Sequence, residues 1–119
     1  MADGSIEMLK QWLDRLEGLV GDGSTPPSLE NLVEIRRRVN EMLGFCGPLR
    51  SKAIPEALHA ISKMADAVEL SPVWLPNSFH HVLSTMKMML DSRIDDGQMR
   101  VMLEYIWKLV DKYGALSKN

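Results

Sequence analysis

From Ser5 to Val20 the apolar residues Ile6, Leu9, Trp12, Leu13, Leu16, Leu19 and Val20 recur at steps of three and four, with Lys10, Asp14 and Glu17 between them. That spacing lines one side of an α-helix with apolar side chains. Gly21-Asp22-Gly23-Ser24-Thr25-Pro26-Pro27 stops the helix, because paired prolines cannot continue its hydrogen bonding. Ser28 is placed to cap a second helix. Its seam runs through Leu32, Ile35, Val39, Met42 and Cys46, supported by Leu29 and Val33, and reaches about Phe45 to Gly47. Gly47-Pro48 marks a break. A third helix follows on Ile54, Leu58, Ile61, Ala65 and Val68, ending near Ser71-Pro72.

The apolar connector Pro72-Val73-Trp74-Leu75-Pro76 carries a tryptophan whose expected place is the end of the helical bundle, as a plug. Phe79, Val82, Leu83, Met86, Met89 and Leu90 mark a fourth helix, and Met99, Met102, Leu103, Ile106, Leu109, Val110 and Tyr113 a fifth. Asp95 and Asp96 stand where they cap the fifth and favour its positive end. Short links between amphipathic helices imply antiparallel neighbours. The predicted fold is therefore all-α, an up-and-down antiparallel four-helix bundle plus one additional helix, with residues 1–119 forming a single domain.

Composition changes this picture little. The chain has 119 residues, 45% hydrophobic and 25% charged, as expected of one globular unit. A net charge of −2 speaks against non-specific nucleic-acid binding. No apolar run approaches the roughly 18 residues of a membrane span, and no secretory signal opens the chain, so a cytoplasmic protein without membrane or nucleic-acid partners is expected. The one cysteine, Cys46, cannot form an internal disulfide and sits on the apolar seam, where an inert thiol is expected.

Candidate chemistry is sparse. His80 and His81 are adjacent, so their side chains diverge by about 100° on a helix, and His59 stands alone; neither arrangement makes a metal pair. No Glu-x-x-His pairing or phosphate-cradling glycine loop is present, and no cofactor, metal site or catalytic residue is expected. The informative segment is Arg36-Arg37-Arg38-Val39-Asn40-Glu41-Met42-Leu43-Gly44. With Val39 facing the core, Asn40 turns outward and Gly44 follows one turn later. A glycine inside a helix costs about 1 kcal/mol relative to alanine, which close approach by a partner or by a neighbouring helix would explain. Arg36 and Arg37 would then offer charge to an acidic partner.

This segment resembles the phosphorylation site of histidine-phosphotransfer (HPt) domains, particularly the amino-terminal domain of chemotaxis histidine kinases. Leu32-Val33-Glu34-Ile35-Arg36-Arg37-Arg38-Val39 is similar to the approach to the family's H-x-x-K-G motif. Gly44 matches the motif glycine, and Glu56-Ala57-Leu58-His59-Ala60-Ile61 resembles the start of the following helix. The likeness spans roughly Ser5 to Tyr113 and includes the five-helix order. Asn40 stands where the family has histidine and Leu43 where it has lysine, while Pro48 interrupts a stretch that is normally helical. An asparagine amide has no nitrogen lone pair free to accept a phosphoryl group, and leucine offers the phosphate no charge. The resemblance thus implies a degenerate, non-catalytic docking surface built from Arg36, Arg37, Asn40, Leu43 and Gly44. Its implied partner is a response-regulator receiver domain or a histidine kinase. Two alternatives stand beside this: phosphotransfer through a displaced histidine among His59, His80 and His81, and a general all-α adaptor or oligomerisation domain whose likeness is bundle physics alone.

Overall fold

The structure, a computed structural model, describes residues 2–46, 52–70, 74–91 and 93–117. Five helices make up the described fold, with no strand among these residues: α1 (Ala2–Val20), α2 (Leu29–Leu43), α3 (Ala53–Leu70), α4 (Ser78–Met89) and α5 (Asp96–Ser117). Helices α1 to α4 pack in a ring, each against the next, and α4 closes back on α1. The remaining helix, α5, lies against α3 and α4. This is the all-α bundle with one extra helix that the periodicity predicts.

Contacts along the helices fix their directions. Asn31 at the start of α2 donates to the carbonyl of Leu19 at the end of α1, and Trp12 meets Phe45 at the other end of the pair. Lys87 of α4 bonds Asp14 and Glu17 of α1, whereas His80 at the start of α4 bonds the Gly21 carbonyl just past α1. Both pairs are therefore antiparallel. Tyr113, late in α5, bonds Ser78 at the start of α4, which makes that pair antiparallel too. By contrast α5 runs parallel to α3, its Trp107 lying under the Lys63 ammonium while its first turn faces Lys52 and Glu56.

One buried cluster fills the bundle. It takes Leu9, Leu13, Leu16 and Val20 from α1, Leu32, Ile35, Val39 and Met42 from α2, and the expected seam positions of α3 and α4. Cys46 also belongs to it, as its place on the seam predicts, and burial pushes its thiol pKa up, which favours the protonated form. Among the described side chains of α5 only Ile106, Val110 and Tyr113 are buried, so its first half covers the core less completely. Burying leucine-sized side chains contributes about 1.5–3 kcal/mol each, and this term holds the helices together.

Local signals set the helix ends. The Ser28 hydroxyl accepts from the Asn31 N–H at 3.1 Å, satisfying one of the free donors at the start of α2. Asp95 caps α5 reciprocally: its carboxylate accepts from the Gln98 N–H at 2.7 Å, and the Gln98 side-chain amide oxygen Oε1 accepts from the Asp95 N–H at 2.9 Å. Between α1 and α2, Gly21 and Gly23 take φ of 83° and 88°, which L side chains rarely adopt. Gly23 is also buried beneath the α3–α4 connector. Its carbonyl accepts from the Asn77 N–H at 2.9 Å and from the Trp74 indole at 3.1 Å. A Cβ at this position would lie 2.6 Å from the His80 ring and collide with the Asn77 amide. Trp74 packs against Phe79 and Tyr113, closing that end of the bundle as the sequence predicts.

Three boundaries differ from expectation or fall outside view. Helix α2 ends at Leu43 rather than near Phe45 to Gly47. The chain tightens there, with Gly44, Phe45 and Cys46 donating to carbonyls three residues back. The breaks expected at Gly47-Pro48 and Ser71-Pro72 lie outside the described residues.

Candidate functional site

At about 100° per residue, the core stripe of α2, made of Leu32, Ile35, Val39 and Met42, is centred between Ile35 and Val39. Asn40 falls roughly a third of a turn away and is exposed, as the sequence predicts. Leu29, Val33, Arg36, Arg37, Leu43 and Gly44 share its arc. Leu29 and Val33 do not support the seam as their apolar character led us to expect; they are 58% and 52% exposed. The physical reason is angular. Each lies at least a quarter turn from the centre of the buried stripe, beyond the width that α1 and α3 cover. They are the part of this surface that hydrophobic pattern alone misassigns to the core.

The arginines are occupied. Arg36 reaches across to α3 and lies 3.0 Å from a carboxylate oxygen of Asp66 and 3.0 Å from one of Glu69. Its side chain is only 25% exposed, and it acts as a strut between helices rather than a free charge. Arg37, 55% exposed, is gripped within its own helix by Glu34 and Glu41. The hydrogen bond from Arg37 is the main cause holding the Glu34 carboxyl below its usual range, and the same bond raises the guanidinium. Arg38 also bonds Glu34, at 3.0 Å. The three arginines of α2 are balanced by Glu30, Glu34 and Glu41 on the same helix, before Asp66 and Glu69 are counted. The surface around Asn40 is therefore not basic, contrary to the charge that the arginine run implies.

Leu43 and Gly44 complete the arc differently from expectation. Leu43 is half-buried and packs against the core, so only its edge reaches the surface. Gly44 is exposed in the turn that caps α2, with φ of −66°, rather than inside the helix. The cost of an interior glycine therefore does not arise. Among the described residues a Cβ there would meet only the Glu41 carbonyl, at 3.2 Å, so no described helix needs the missing side chain. Just beyond, Phe45 meets Trp12 edge-on with ring centroids 5.0 Å apart and leaves part of its ring exposed.

The three histidines stand on α3 and α4 rather than on α2. His59 is exposed on α3 and His81 on α4, while the His80 ring nitrogen lies 2.8 Å from the Gly21 carbonyl at the far corner of α1 and α4. Among the described residues no group of three histidine, cysteine or acidic side chains is arranged to hold a metal ion. No described helix is long and apolar enough to cross a membrane. The chain matches no protein-family model, no curated protein and no solved structure.

Proposed function

We propose that this chain is a non-catalytic, HPt-like interaction module of two-component signalling, binding a receiver domain or a histidine kinase through the outward arc of α2 without transferring phosphate. The observation that carries the reading is the exposure of Asn40 in the middle of an arc that also displays Leu29 and Val33. A phosphate acceptor would need to stand in such a place, and an amide there offers a contact but no nucleophile. With its arginines already paired, the arc would engage a partner by apolar contact more than by charge.

Titration calorimetry against purified receiver and kinase domains tests this reading. Val33→Glu places a charge on the arc without entering the core; it should weaken binding by more than about fivefold, the effect of losing a contact worth over 1 kcal/mol. Leu43→Glu is a poorer probe because it would also disturb core packing. Unchanged affinity in Val33→Glu, with helix content intact by circular dichroism, would place the interface elsewhere and favour a general adaptor.

A further inference from the structure

We draw no further inference here: the strongest candidate, the open groove of about 600 Å³ between the first turns of α3 and α5 over Met99, Leu103 and Trp107, carries nothing because Lys52, Glu56 and Arg100 give its rim both signs of charge and nothing in the structure shows what covers it.

Discussion

If Arg36 is a strut between α2 and α3, removing its charge should cost more stability than removing the charge of Arg37. Arg36→Met keeps most of the aliphatic stem and deletes the guanidinium. Two carboxylates each lie 3.0 Å from that group, with Glu69 the less exposed of the two. Gross attraction at such separations is about 1–5 kcal/mol per pair between water-like and surface dielectric, but desolvation and side-chain ordering leave about 0.2–1 kcal/mol net. Together the two pairs should contribute about 1 kcal/mol, lowering the melting temperature by about 3–5 °C in a chain of this size. The assay is a double-mutant cycle of Arg36→Met with Glu69→Gln, followed by urea denaturation. In 1 M salt, where the screening length falls to about 3 Å, the coupling should shrink by half or more. Arg37→Met should lower the melting temperature less, because its partners Glu34 and Glu41 lie on its own helix and tie no second helix to it. A coupling below about 0.2 kcal/mol, or equal losses for the two arginines, would refute the strut and return Arg36 to the surface as a free charge.

Further predictions concern the ends of the bundle. Gly23→Ala should destabilise by about 2–4 kcal/mol, combining left-handed backbone strain with crowding against Asn77 and His80; a loss under about 1 kcal/mol in urea melts would contradict the described corner. Tyr113→Phe should cost about 1–3 kcal/mol, because the Ser78 hydroxyl, 2.7 Å from the phenol oxygen, and the Leu75 N–H, at 3.0 Å, lose a buried partner. Burial pushes the Tyr113 phenol above its ordinary pKa. Its contribution is therefore full below about pH 10 and lost as pH rises through the higher folded value, since the unfolded chain ionises first. Stability measured from pH 8 to 11 should fall less steeply in Tyr113→Phe; an identical alkaline limb would show the phenol to be solvated. Asp95→Ala should remove about 1 kcal/mol by uncapping α5, visible as faster amide exchange in its first turn, and unchanged exchange would mean the cap is not formed in solution.

The bundle was legible because its signals are redundant. Caps at Ser28 and Asp95, seams of five or more apolar residues per helix, and glycine or proline at the first connector all point to the same architecture. Pattern was weaker at edges. Leu29 and Val33 look like core residues because they are apolar and near the seam, yet their angle puts them outside it. A run of three arginines looks like a basic patch, but its meaning depends on Glu34 and Glu41 one turn away and on Asp66 and Glu69 of another helix. The first two could have been paired from i,i+3 and i,i+4 spacing. The last two required knowing how α3 faces α2. Gly44 misled for a different reason, since a helix boundary displaced by a few residues turns an interior glycine into a cap. The displayed Asn40 was readable from Val39 alone, because one residue of helical rotation carries the chain from core to surface.

The measurement that bears most directly on docking without transfer is a phosphate-label experiment run alongside binding. The chain is mixed with receiver domains carrying labelled phosphoaspartate and with labelled histidine kinase, then followed for acid-labile label and complex formation. The proposed reading predicts a complex that Val33→Glu weakens, and no label on the wild-type chain. Label on His59, His80 or His81, or no complex with either class of partner, would contradict it.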